Sequence, residues 1–344
     1  MVIALLAAAG CDRAVTSEVP TVLVGEGATF PVPLYERWAD KIPFRDIKME
    51  YRPTGSGAGI QAILAGRVDF AGSEAPVSDE EMQQSGTILH VPLTIAPIAV
   101  AYTLANAPDE LKLTGDVVAD VFRGAITQWN DRRIVQLNPG VTLPPVKITV
   151  VHRSDSSGTT KVFTEYLSSV SADWKNSLGS KTTLVWPVGT AADGNRGVSN
   201  VVRRTEGAIG YMSLSFARVN RLKTAHLLNR ANVYVAPTLD GATAAAAEAI
   251  GKAGNDLRIS MVDGDGDLVY PITGFSYLLV RQDVDDESKA RALQRFVLWA
   301  LHDGQAYGPS LGYATLPPEV VARGLAEIGR LRHAGKAITE AATR

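Results

Sequence analysis

The stretch Val150-Val151-His152-Arg153-Ser154-Asp155-Ser156-Ser157-Gly158-Thr159-Thr160-Lys161-Val162 decides how the chain folds. Residues 147–152 read as a strand, 153–160 as a turn of Ser, Asp, Gly and Thr, and Val162, Phe163, Tyr166 and Leu167 as one face of a helix. The same succession occurs twice earlier. Strand 21–24 leads through Gly25-Glu26-Gly27-Ala28-Thr29-Phe30-Pro31 into a helix at 31–42 carrying Leu34 and Trp38. Strand 47–51 leads through Thr54-Gly55-Ser56-Gly57-Ala58-Gly59 into a helix at 60–65. Strand and helix in alternation predict an α/β fold.

Working outward, 68–71, 98–104, 208–212 and 276–281 read as further strands. Ser78-Asp79-Glu80-Glu81 has the pattern of a capping box. Val117, Val118, Val121 and Phe122 mark a helix ended by Gly124, and 290–302 and 319–331 read as helices, the last opened by Pro317-Pro318. A chain of 344 residues suits about two domains. No Pro/Gly/Ser-rich linker divides it, so the crossing between them is expected to run through strands.

Hydrophobic residues make up 46% and charged residues 20%, the balance of a globular protein. A net charge of −2 argues against a nucleic-acid binder relying on a global basic field. The single cysteine, Cys11, allows no internal disulfide, and no pair of the five histidines has metal-ligand spacing, so no metal site is expected. Residues 1–11 are an apolar run too short to span a bilayer. They read as the apolar part of a secretory signal. Ala8-Ala9-Gly10 before Cys11 resembles a bacterial lipoprotein cleavage site, with Cys11 as the lipidated residue and 12–19 as a tether.

Each Gly/Ser/Thr turn precedes a helix. A helix N-terminus leaves N–H groups unpaired and carries partial positive charge, and glycine lets a ligand approach the backbone. Three such turns, one with Arg153, point to a small oxyanion held by several helix ends. Gly57-Ala58-Gly59-Ile60-Gln61-Ala62 also fits a dinucleotide pattern, but that leaves the other two turns unexplained. No GxxxxGK[ST] occurs. Glu74, just past strand 68–71, is a candidate acceptor facing the anion. A carboxylate beside a bound anion repels it unless a proton lies between them, so it admits hydrogen phosphate and rejects sulfate. Asp155 can hold the Arg153 guanidinium through charge-assisted hydrogen bonds, and an Arg fork suits tetrahedral oxyanions.

These residues resemble the periplasmic phosphate-binding proteins of the phosphate-specific ABC importer, from about residue 22 to about residue 325. The three turns carry the resemblance, with Tyr35-Glu36-Arg37-Trp38, Ile126-Thr127-Gln128-Trp129-Asn130, Leu137-Asn138-Pro139-Gly140, Gly207-Ala208-Ile209-Gly210-Tyr211 and Tyr313-Ala314-Thr315-Leu316-Pro317 in support. It implies phosphate contacts from Thr29, Phe30, Ser56, Arg153, Ser157, Gly158 and Thr159, with Asp155 orienting Arg153 and Glu74 reading the ligand's proton. The family's Asp is Glu74 here, one methylene longer, and the second Ser of its Gly-Ser-Ser is Gly57.

The resemblance further implies a two-lobed periplasmic-binding-protein fold of type II, with mixed sheets flanked by helices and a two-strand hinge. Lobe 1 would comprise 20–95 and 271–344 and lobe 2 96–270, crossing near 92–97 and 270–273. It implies a monomer without catalytic activity or cofactor, periplasmic or extracytoplasmic and lipid-anchored, delivering phosphate to an inner-membrane ABC permease and its ATPase. A phosphate-ester hydrolase, a binder of another oxyanion such as arsenate, and a phosphate sensor remain as alternatives.

Overall fold

The computed structural model describes residues 19–254 and 256–338. Cys11, the rest of the 1–11 run and all of the tether but Val19 lie outside the described residues. The chain opens with β1 (Thr21–Gly27), α1 (Val32–Lys41), β2 (Ile47–Arg52), α2 (Ser56–Leu64), β3 (Phe70–Ser73), α3 (Asp79–Ser85) and the long β4 (Ile88–Tyr102). The middle runs through β5 (Lys112–Leu113), α4 (Gly115–Arg123), α5 (Arg132–Leu137), β6 (Thr149–Arg153), α6 (Gly158–Val170), α7 (Ala172–Ser177) and β7 (Thr190–Ala192). It continues through α8 (Gly194–Arg204), β8 (Ala208–Ser213), α9 (Leu214–Val219), β9 (Lys223–Thr224), β10 (His226–Leu228), β11 (Tyr234–Val235) and α10 (Leu239–Lys252). Then come β12 (Thr273–Arg281), α11 (Glu287–Leu301) and α12 (Pro318–Ile328).

The molecule is two-lobed because β4 serves two sheets. Its first part, 88–97, pairs antiparallel with β12, which pairs antiparallel with β3. β3, β1 and β2 are parallel to one another. From Ile98 onward β4 pairs instead with β8, which lies parallel to β6 and β7. The partner change falls at Pro97/Ile98, beside the start of β12 at Thr273.

Each sheet buries an aromatic cluster. Tyr35, Trp38 and Phe70 pack with Phe296 of α11 on one side. Phe122, Phe163, Trp186 and Tyr211 pack on the other. The Trp38 ring is fully buried and its indole N–H donates to Gly304 O at 2.8 Å. Burial of such a ring contributes about 1.5–3 kcal/mol once its polar handle is satisfied.

Several boundaries differ from the sequence reading. α2 begins at Ser56 and α6 at Gly158, so the glycine-rich turns are the first helical turns themselves. Gly55 at φ +95° and Ser157 in extended backbone make the turns into these helices. β4 begins ten residues before the strand expected at 98, a stretch disguised by Pro92 and Pro97. The capping box at Ser78 forms, with Ser78 and Glu81 each accepting from the other's backbone N–H. The Ala-rich 242–249 lies within α10.

Candidate functional site

The three turns converge where the sheets meet. Thr29 precedes α1, Ser56 opens α2, Glu74 follows β3, Arg153 ends β6, and Ser157, Gly158 and Thr159 form the start of α6. All are buried, Thr29 the least at 9% exposure. Phe30 is buried beside them, and its carbonyl accepts from the Tyr313 hydroxyl at 2.6 Å.

The approach is close. A Cβ at Gly158 would meet the Ser56 hydroxyl and lie 2.8 Å from Glu74 N, so only glycine fits there. Gly57 N donates to Ser156 O at 2.9 Å, joining the start of α2 to the turn before α6. A second Ser at 57 would collide with the Ser156 side chain, which accounts locally for the glycine.

Helix ends face this point with donors. Ser157 Oγ accepts from Thr160 N and Lys161 N returns to Ser157 O, leaving the amides of Gly158 and Thr159 at the open end of α6. The Ser157 amide itself donates to Thr182 O, so Ser157 has its hydroxyl proton to offer rather than its N–H. α8 adds a helix end that the sequence reading missed. Its Gly194 N donates to Asp155 Oδ1 at 3.2 Å and its Asn195 N to Thr29 Oγ1 at 3.1 Å. Asp193-Gly194-Asn195 has the composition of a helix start, but nothing local shows which helix end meets which turn.

Arg153 is 4% exposed and gripped from one side, Nε donating to Asp155 Oδ1 at 2.7 Å and Nη2 to Oδ2 at 2.5 Å. Its third nitrogen, Nη1, is buried with no hydrogen-bond partner among the described residues. Burial works against the Asp155 carboxylate, but the hydrogen bonds and charge of Arg153 and the Gly194 amide outweigh it and hold Asp155 below the usual carboxylate range.

Glu74 faces Arg153 across the site. Its Oε1 accepts from Ser276 Oγ at 3.1 Å, and its Oε2 from Ser56 Oγ and Thr159 Oγ1, each at 3.4 Å. Burial pushes its pKa up to about 7, against the pull of Arg153 and of the hydroxyls of Ser276, Thr159 and Ser56. Ser276 and Asn195 were not singled out from sequence, since each is a lone polar residue brought in from a distant element. Among the described residues no cluster of His, Cys, Asp and Glu could hold a metal.

A buried polar site at the seam of two lobes joined through β4, beside the start of β12, defines a class, the binding proteins of periplasmic type. A family profile described as a PBP superfamily domain matches residues 14–303. The chain is 38% identical over 299 residues to the phosphate-binding protein PstS of Xylella fastidiosa (strain 9a5c), covering 86% of this chain and 82% of that one. It is 36% identical over 322 residues to PstS of Pasteurella multocida (strain Pm70), covering 92% of each. In three dimensions it resembles the ancestral soluble variant of the human phosphate-binding protein, with a TM-score of 0.72 and 21% identity over 92% of this chain and 99% of that one. The chain belongs to the PstS phosphate-binding proteins of the PBP superfamily, which are transport binding proteins and not enzymes. No helix among the described residues is long and apolar enough to cross a membrane.

Proposed function

We propose that this chain binds inorganic phosphate at the seam between its lobes and delivers it to an ABC permease for import. The observation that carries the reading is the buried Nη1 of Arg153, without a partner among the described residues, on a guanidinium aligned by Asp155. A buried guanidinium nitrogen without an acceptor costs stability unless an anion supplies one. Phosphate oxygens would accept from Arg153, from the amides of Gly158, Thr159 and Phe30, and from the hydroxyls of Thr29, Ser56, Ser157 and Thr159. Thr29 Oγ1 already accepts twice from Asn195, which frees its own proton for the ligand. Glu74 would accept the proton of hydrogen phosphate. Of the described residues, those of 20–95 and from 271 onward would form one lobe and those of 96–270 the other, and ligand would be enclosed as they close. Signal cleavage at Cys11, followed by lipidation, would tether the protein outside the cytoplasmic membrane.

Calorimetric titration of the phosphate-stripped chain tests the reading. One-to-one binding of phosphate at micromolar affinity or tighter, about −8 kcal/mol or better, with no heat from sulfate above neutral pH, where Glu74 is a carboxylate, is the expected result. A folded sample that binds no phosphate would overturn it. Arsenate, protonated much as phosphate is, serves as a third arm.

A further inference from the structure

The hydroxyl of Ser276 comes to Glu74 from the central strand β12 rather than from any anion turn. We propose that Ser276 is a positioning residue for Glu74: it holds Oε1 so that Oε2 alone faces the bound oxyanion, and thereby sets the discrimination between protonated and unprotonated anions. The inference rests on the anion-binding reading above.

The pairing is built into the sheet. The β3–β12 ladder ends with Ser73 opposite Tyr277, and the next step in that register sets Glu74 opposite Ser276. On the other side of β12, Ser276 pairs with Thr94 and Tyr277 with Pro92, leaving Leu93 as an extra residue on β4. A bulge of this kind alters local twist and aims side chains. The displaced Leu93 carbonyl is satisfied by Gln305 Nε2 at 3.0 Å. Ser276 is fully buried and Glu74 is 5% exposed, so solvent does not compete for their hydrogen bond.

The two carboxyl oxygens have different partners. Oε2 receives only the long bonds from Ser56 and Thr159, hydroxyls assigned above to the anion. Once they turn to ligand, Oε2 lacks these donors and requires a proton from the anion. Oε1 keeps Ser276 throughout. A glutamate has one more rotatable bond than an aspartate, so a fixed donor is what stops this carboxyl swinging away.

The groups around Glu74 are Arg153 of β6, Tyr35 of α1, Tyr51 of β2 and Tyr313. Lys161 and Glu165 of α6, with Arg258, line a cavity of about 130 Å³ that also reaches Glu74. Burial holds all three tyrosines above their usual range, so they stay neutral. A hydroxyl donor favours the charged carboxylate, so its loss moves the Glu74 titration upward.

The test titrates wild type, Ser276→Ala, Ser276→Thr and Ser276→Val with inorganic phosphate and with sulfate, between about pH 6 and pH 8. Removing the hydroxyl in the Ala and Val variants should lower the phosphate-over-sulfate affinity ratio by about tenfold, the worth of one hydrogen bond to a charged group. It should also move the pH midpoint of that ratio upward, and Thr should restore both. Thr and Val match in size, so if Ala folds poorly this pair still separates hydroxyl from volume. A ratio and midpoint unchanged in a binding-competent Ala or Val variant would overturn the inference, as would equal weakening of both anions. A wild type that binds no phosphate overturns the binding reading itself, and this inference with it.

Discussion

The side-chain amide of Asn195 donates to the hydroxyl of Thr29 at 2.9 Å and to that of Thr159 at 3.4 Å. Its backbone N–H reaches the same Thr29 oxygen, and its Oδ1 accepts from Ser213 N at 2.9 Å. One fully buried residue at the start of α8 thus ties the turn before α1 to the start of α6. Asn195 and Thr159 lie on one side of the proposed seam and Thr29 on the other, so it is the bonds to Thr29 that would form on closure.

Asn195→Ala should therefore weaken phosphate binding by about tenfold, from the loss of the side-chain hydrogen bond to Thr29 across the seam. Calorimetry gives the affinity, and small-angle scattering with and without phosphate gives the closure. An unchanged affinity with normal compaction would remove Asn195 from the closing contacts.

Arg153→Ala should cost more. It removes the buried cation and leaves the partly buried Asp155 without its guanidinium, so affinity should fall by at least about a hundredfold, the scale of a lost charge-assisted pair. Arg153→Lys keeps the charge but not the fork to Asp155 and should fall between the two. Near-normal binding by the Ala variant would place the anion elsewhere.

What local sequence could show and what it could not divides by range. Arg153 and Asp155 stand two residues apart, and the cap and glycines of α6 lie in the same turn, so their chemistry could be read in place. Glu74 was legible because a carboxylate among small residues after a strand is conspicuous. The helix starts were misplaced by four residues because glycine and serine serve loops and first helical turns alike. The first part of β4 was hidden by its prolines, which sit where the strand bulges and changes partner. Asn195 and Ser276 could not be found locally, since their roles arise only when the sheets set α8 and β12 against the turns.

If Glu74 reads the ligand's proton as proposed, the selectivity should depend on pH. With its pKa near 7, the carboxylate form prevails above neutrality and can only accept a proton, so sulfate is repelled. Below neutrality the protonated carboxyl can donate to sulfate. Sulfate affinity should rise as pH falls through about 7, while phosphate, able to donate or accept, changes much less. Glu74→Gln, which can donate at any pH, should bind sulfate without this slope. A sulfate response independent of pH in the wild type would show that Glu74 does not read the proton.

Cys11→Ser tests the proposed anchor. If Cys11 carries lipid, the wild type made in a bacterial host should fractionate with membranes and the variant should appear in the soluble extracytoplasmic fraction. Equal membrane retention of both would remove Cys11 as the attachment point.

Stability should reveal an opposition between Glu74 and His90. His90 Nε2 accepts from Val77 N at 2.9 Å, holding the segment just after Glu74, and Nδ1 donates to Ile88 O at 3.0 Å. Burial lowers the His90 pKa to about 4 from its ordinary 6.5. Between those values the unfolded chain binds a proton that the folded chain refuses, so this contribution is present above 6.5 and lost as pH falls toward 4. Burial raises Glu74 from 4.5 to about 7, so its contribution is present below 4.5 and lost as pH rises through 7. Each shift corresponds to about 3 kcal/mol, with opposite slopes over nearly the same window. In anion-free buffer, urea unfolding of the wild type should vary little with pH across that window as far as these two groups decide it. Glu74→Gln should lose about 3 kcal/mol on acidification relative to its own value near neutrality, because the His90 slope is then unopposed. If the variant and wild type show the same pH dependence of unfolding, Glu74 does not titrate in the folded protein as its burial requires.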